Sequence, residues 1–159
     1  MILLLHNIRS VHNVGSIFRT ADAAGVKRII LSGYSPTPLD RFGRERRDFA
    51  KVSLGAEKTV PWEYVETLEP MLVQLRQEDY CILALEQAPN SINLFDFKIP
   101  TTRPLALLVG NEVDGVSPAL REQAEVILEI PMRGKKESLN VSVATGVALF
   151  VLSNQLKNQ

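Results

Sequence analysis

The chain has 159 residues, enough for one domain with a sizeable core and no need of disulfide or metal staples. Lys and Arg total 18 and Asp and Glu total 18, so the formal net charge is zero. That excludes nucleic-acid binding by bulk electrostatics while leaving room for a local basic patch.

The apolar run Met1 to Leu5 is too short and too abruptly polar afterwards for a signal peptide or a membrane span, so a soluble, cytoplasmic protein is expected. The run itself reads as a buried strand. Asn13 to Gly25 then carries Val14, Ile17, Phe18, Ala21 and Ala24 at helical spacing, with Asn13 suited to the N-cap and Gly25 to the C-terminal stop. With a second strand over Arg28 to Leu31 this predicts a βαβ unit. Tyr34 to Gly43 holds Pro36, Pro38 and Gly43 and reads as a surface loop. Arg41 to Lys51 follows with five basic residues (Arg41, Arg44, Arg46, Arg47, Lys51) against Glu45 and Asp48, a local charge of +3.

Further on, a short strand is expected near Glu57 to Val60, a helix over Thr67 to Gln77 and a strand over Tyr80 to Leu85. The last of these runs through Cys81, the single cysteine, which reads as a buried structural thiol rather than a nucleophile. Ser91 to Asp96 looks like a short helix. Leu105 to Val109, bounded by Pro104 and Gly110, suits a central parallel strand. Ser117 and Pro118 read as the cap and first position of another short helix, Val126 to Ile130 as the last strand and Asn140 to Gln155 as the last helix. No repeat or linker interrupts this pattern, which is that of a single α/β domain over residues 1–159 with a mostly parallel sheet flanked by helices.

Three polar loops follow predicted strands, where α/β proteins place ligands. The first, His6 to Gly15 running into Arg19 and Thr20, is dense in side-chain donors, and Gly15 permits close backbone approach. Arg19 points away from the apolar stripe, a position that by spacing alone suits a solvated or salt-bridged arginine. His6 and His12 lack a Cys or acidic partner at metal-ligand spacing, so no metal is expected. The second loop, Gly110 to Pro118, sets two glycines around Glu112 and Asp114; it fits either a backbone cradle for a ligand or a tight turn ending in a helix cap. The third loop carries Pro131, Gly134, Lys135, Lys136, Ser138 and Asn140, the last two also suited to capping the final helix. Ala144, Gly146 and Ala148 make that helix thin; a helical glycine costs about 1 kcal/mol relative to alanine, so close packing is expected there. Neither G-x-G-x-x-G nor G-x-x-x-x-G-K-S/T occurs, which speaks against a dinucleotide fold or a P-loop.

Taken together the loops resemble the SpoU (TrmH-like) family of SPOUT RNA methyltransferases. Asn7-Ile8-Arg9-Ser10, Asn13, Gly15 and Arg19-Thr20 match its N-x-R-S-x-x-N-x-G-x-x-x-R-T motif. Gly110 to Gly115 matches G-N-E-x-x-G, and Ile130 to Ala144 matches I-P-M-x-G-x-x-x-S-L-N-V-S-V-A. The resemblance implies a fold with a C-terminal deep trefoil knot, a homodimer, and transfer of a methyl group from S-adenosylmethionine to a ribose 2′-hydroxyl of RNA, with tRNA expected over rRNA. It implies that Arg19 is the catalytic arginine with Asn13 beside it, that Glu112, Ser138 and Asn140 support the site, and that the cofactor lies against Leu85, Glu86, Gly110, Ile130, Met132, Ser138 and Leu139.

An arginine keeps its proton at neutral pH, so two roles stay open for Arg19: proton acceptor with help from an RNA phosphate, or donor that orients phosphate and hydroxyl. Many relatives carry an RNA-binding extension before the first motif. Here the first strand begins at Ile2, so RNA binding is expected from the domain itself, through Arg9, Arg41, Arg44, Arg46, Arg47 and Lys51 with the Lys135-Lys136 turn. The competing readings are a catalytically idle RNA-binding or assembly protein with the same fold, and another nucleotide-binding α/β enzyme. The second is disfavoured by the missing phosphate-loop glycines.

Overall fold

The computed structural model describes residues 1–99 and 102–157. In chain order its elements are β1 (Ile2–His6), α1 (Val11–Ala24), β2 (Arg28–Ser32), α2 (Arg47–Ser53), α3 (Ala56–Thr59), β3 (Trp62–Val65), α4 (Glu69–Gln77), β4 (Cys81–Leu85), β5 (Ile92–Asn93), β6 (Leu105–Val109), α5 (Pro118–Arg121), β7 (Val126–Glu129) and α6 (Val141–Lys157). The strands form one sheet in the order β3-β2-β1-β6-β4-β7-β5, with every pairing among them parallel.

The apolar runs at Ile2 to Leu5 and Leu105 to Val109 demand burial on both faces, and both become central strands. Leu3 and Leu5 share one core with Val14, Ile17 and Phe18 of α1, Phe49 of α2 and Leu149 of α6. Ile2 and Leu4 point to the other face, against Leu72 and Leu75 of α4 and Leu120 of α5. Register aligns Leu5 with Val109, Val109 with Leu85 and Leu85 with Leu128. The C-terminal ends of β1, β6, β4 and β7 therefore lie side by side, and so do the loops that leave them.

Four local expectations are corrected. The N-cap of α1 is Ser10, whose Oγ accepts from the Asn13 backbone N–H at 3.2 Å; Asn13 sits in the first turn with its amide free to reach elsewhere. Glu57 to Val60 is not a strand: Ala56–Thr59 is one helical turn and the strand follows Pro61. Ser91 to Asp96 is not a helix: Ile92 and Asn93 extend to pair with Leu128 and Glu129, and a turn follows. Inside the basic stretch lies an unexpected helix, α2, which buries Phe49 edge-on against Phe18 with ring centroids 5.2 Å apart. Gly15 is what lets it approach, since a Cβ there would meet Val52 Cβ at 3.0 Å. Ser117 does cap α5, accepting from the Leu120 N–H, and Gly25 does close α1 in the left-handed conformation.

Candidate cofactor and ribose site

The loops after β4, β6 and β7 enclose a cavity of about 320 Å³ at the C-terminal edge of the sheet. All seven residues expected to touch the cofactor line it: Leu85, Glu86, Gly110, Ile130, Met132, Ser138 and Leu139. The ends of the strands bring them there. Leu85 ends β4, Gly110 follows β6, and Ile130 follows β7.

The walls are locked by contacts the sequence did not announce. Glu86 Oε2 accepts from the Val116 N–H at 2.7 Å, and its Oε1 accepts from the Gln87 N–H at 2.8 Å. Gln87 in turn donates to the Glu137 carbonyl at 2.9 Å, tying the β4 loop to the third polar loop. Gly115 has φ +65°, and a Cβ there would stand 1.9 Å from Glu86 Oε2. A Cβ on Gly110 would meet the Gly115 carbonyl carbon at 2.3 Å, so the two glycines fold the turn back on itself. Asn111 is buried inside that turn. Its Oδ1 accepts from the N–H groups of Val113 and Asp114, and its amide donates to Asp114 and to the Tyr34 hydroxyl. An Asn directly after a strand and a glycine is the available signal for such an Asx turn.

At the rim, three of the expected polar residues meet. The Asn13 amide donates to Glu112 Oε1 at 2.8 Å, and the Asn140 amide donates to Asn13 Oδ1 at 3.2 Å. Glu112 Oε2 accepts from the Arg9 N–H at 3.2 Å. Burial would push the Glu112 carboxyl upward, but the Asn13 amide and the backbone N–H groups of Glu112, Arg9 and Ser10 outweigh it and hold the group below its ordinary value. With both oxygens engaged, this carboxylate joins the first polar loop to the second. Asn140 serves twice: its Oδ1 accepts from the Ser142 N–H at 2.9 Å, capping α6, while its amide faces Asn13. Ser138 lies on the cavity wall beside Leu139.

The lining has a one-sided charge. Glu86, Glu112, Glu129 and Glu137 border the cavity, and among the described residues no Lys, Arg or His does. Such a space favours a cation and opposes a phosphate. Nor do the described residues contain a group of three or more His, Cys, Asp or Glu side chains able to hold a metal ion.

Arg19 is not brought to this cavity. It borders a separate depression with Ser16, Thr20, Ala23, Lys51, Leu54 and Phe150, where α1, α2 and α6 meet. It stands six positions along the helix from Asn13, about 9 Å along the axis and on a different face. The basic stretch is likewise divided. Arg41, Arg44 and Arg46 border a cleft with Tyr34, Phe42 and Tyr64, whereas Lys51 sits near Arg19. Arg44 pairs with Asp40 and Arg46 with Asp48, each at 2.8 Å. The small residues of α6 have separate reasons: Ala144 lines the cavity, a Cβ on Gly146 would meet Thr20 Cγ2 at 3.3 Å, and Ala148 is fully buried.

The model of the SpoU rRNA Methylase family matches residues 1–150. The chain belongs to that family. The 23S rRNA (guanosine-2′-O-)-methyltransferase RlmB from Ralstonia nicotianae is 37% identical over 94% of this chain. The Haemophilus influenzae RlmB is 36% identical over 98% of it. The chain spans 57% and 60% of the length of these two relatives. Among solved structures, the AdoMet-bound rRNA methyltransferase from Sinorhizobium meliloti superposes with a TM-score of 0.87 at 30% identity, covering 98% of this chain and 56% of that one. The A. aeolicus TrmH/SpoU tRNA modifying enzyme superposes with a TM-score of 0.84 at 31% identity, covering 99% and 75% respectively.

Proposed function

We propose that this SpoU chain transfers a methyl group from S-adenosylmethionine to a ribose 2′-hydroxyl of RNA. The observation that carries this reading is the cavity at the C-terminal ends of β4, β6 and β7, whose charged lining residues among those described are all acidic, set against the Asn13–Glu112–Asn140 cluster. The lining suits the cofactor: carboxylates for its sulfonium and amino charges, Leu85, Ile130, Met132 and Leu139 for its apolar parts, and a volume at the small end of the usual ligand range of about 300–1,000 Å³. When bound, the cofactor supplies an electrophilic methyl group.

The protein's part is to orient the hydroxyl in line with that group and ease loss of its proton, tasks of positioning and acid–base assistance. In this reading Asn13 and Asn140 present amide groups to the ribose, Ser138 adds a hydroxyl at the wall, and Glu112 holds the first polar loop in place. Arg19 orients an RNA phosphate, a task suited to the planar fork of donors on a guanidinium. Its distance from the cavity within one chain, together with the exposed Leu54 and Phe150 beside it, supports a homodimer in which Arg19 serves the partner's site. We also infer the family's trefoil knot for the C-terminal segment. It is supported by the order β6-β4-β7 and by the bonds that interlock the three loops.

For the substrate, the family description and the RlmB relatives favour rRNA over the tRNA expected from the sequence. The test incubates the protein with methyl-labelled S-adenosylmethionine and with rRNA and tRNA prepared separately from cells lacking the gene. Label is expected in a 2′-O-methylnucleoside of rRNA and absent for Arg19→Ala, with cofactor affinity by calorimetry unchanged in that variant. Label in tRNA would reverse the substrate assignment. Cofactor and RNA binding without transfer would favour the idle RNA-binding protein.

A further inference from the structure

Beside the cavity, and outside every motif, lies a cleft bordered by Tyr34, Arg41, Phe42, Arg44, Arg46 and Tyr64. Its three aromatic side chains are exposed by 53% (Tyr34), 66% (Phe42) and 47% (Tyr64). Large rings left in water on a folded surface point to a partner for their faces. They are also held in place. Asp40 accepts from the N–H groups of Phe42 and Arg44 through Oδ1, and from Arg44 Nε through Oδ2 at 2.9 Å. The Asp40 N–H donates to the Arg44 carbonyl and the Gly43 N–H to that of Asp40, which closes the turn. Phe42 therefore projects from a rigid turn. Arg41 and Arg44 lie over its ring, with guanidinium carbons 4.8 and 5.0 Å from the centroid. The Tyr64 hydroxyl donates to the Gly33 carbonyl at 2.8 Å and the Tyr34 hydroxyl accepts from the Asn111 amide, anchoring the other two rings, while the Tyr34 N–H donates to Asn7 Oδ1 at 3.1 Å.

We propose that this cleft is a stacking subsite for an unpaired nucleobase of the RNA, with Phe42, Tyr34 and Tyr64 as the platform and Arg41 as the cation for its phosphate. Rings interleaved with guanidinium groups are the composition that single-stranded RNA uses, because every base offers a π-face and every linkage a charge. The position agrees with the chemistry. Tyr34 accepts from the Asn111 amide, and Asn111 also lines the acidic cavity, so a base in the cleft lies next to a ribose at the rim. Arg9 adds to that boundary, its guanidinium lying near Tyr34, Asp114 and Glu112. The subsite would select RNA whose target lies in a loop or bulge with an unstacked neighbour. This proposal rests on the RNA-methylation reading for its biological meaning, but its test does not need methyl transfer.

Binding is measured by fluorescence anisotropy with labelled nine-nucleotide oligoadenosine and with an abasic oligonucleotide of the same length and charge. The wild-type chain is expected to prefer the base-bearing probe by about tenfold, within the range of stacking on an exposed ring. Phe42→Ala should remove about fivefold or more of affinity for oligoadenosine and leave the abasic probe unchanged, whereas Phe42→Trp should restore the preference. Arg41→Gln should weaken both probes. Equal affinity of wild type for the two probes, or an equal loss on both from Phe42→Ala, would overturn the proposal. So would a change of oligomeric state by sedimentation in Phe42→Ala, which would make the cleft a contact between copies. Failure to bind S-adenosylmethionine by calorimetry would sink the methyltransferase reading alone.

Discussion

At the scale of single residues, the recurring device is a polar side chain spent on holding a loop rather than on the reaction. Glu112 is the clearest case, since both its oxygens are occupied by the Asn13 amide and the Arg9 N–H. Glu112→Gln keeps one acceptor and loses the other. Because a displacement of about 1 Å at a reacting centre can cost about 10²-fold, methyl transfer should fall by about that factor while cofactor affinity by calorimetry holds within about threefold. His6 shows the same economy. Its Nδ1 bonds Ser32 Oγ at 2.8 Å and its Nε2 meets the Asn7 amide at 3.0 Å, with Asn7 itself in the left-handed conformation. Burial pushes the His6 ring below its ordinary 6.5, more than Glu69 pulls it up. The unfolded chain therefore binds the proton more readily, so stability is full above about pH 6.5 and falls as pH drops from there toward the depressed value. Chemical denaturation between pH 7.5 and 5 should show that decline in the wild type and a flatter profile in His6→Gln.

At the scale of elements, the two glycines of the second loop and Glu86 act as one unit. Gly115→Ala places a side chain at positive φ and into the Glu86 carboxylate. The left-handed conformation alone costs a non-glycine residue about 1–3 kcal/mol. A fall of several degrees in Tm with loss of cofactor binding is expected, and in the double variant with Glu86→Ala the two losses should add to less than their sum.

The sequence made the central strands, α1 and α6 legible, because continuous apolar runs and helical spacing leave little choice, and the family resemblance pointed to seven of the residues that line the cavity. Where it failed, the local signal was weak. The strand at Trp62–Val65 lies at the edge of the sheet, is only partly buried and shows no alternation. The pairing of Ile92 and Asn93 is two residues long and is decided by β7 rather than by its own sequence. The α2 helix buries little more than Phe49 and Ser53, so its basic surface concealed it. Asn13 resembled a cap because an Asn ahead of a helical apolar stripe suits one, and only the Ser10 contact shows which residue takes that place.

At the scale of the whole molecule, a chain with no net charge is arranged so that opposite signs serve opposite needs. Carboxylates surround the cavity, while guanidinium groups and aromatic rings border the neighbouring cleft. Arg19 stands apart from both, beside an exposed apolar patch at the junction of α1, α2 and α6. None of the described helices is long and apolar enough to cross a membrane. This division suits a protein that holds a cationic cofactor in one compartment and an anionic polymer at its door. Mapping of ribose methylation across total RNA, from cells with and without the gene, tests that account most directly. It predicts one 2′-O-methyl position, in rRNA, that is missing without the gene and returns with the wild-type chain but not with Arg19→Ala. An identical methylation map in both cell lines would contradict it.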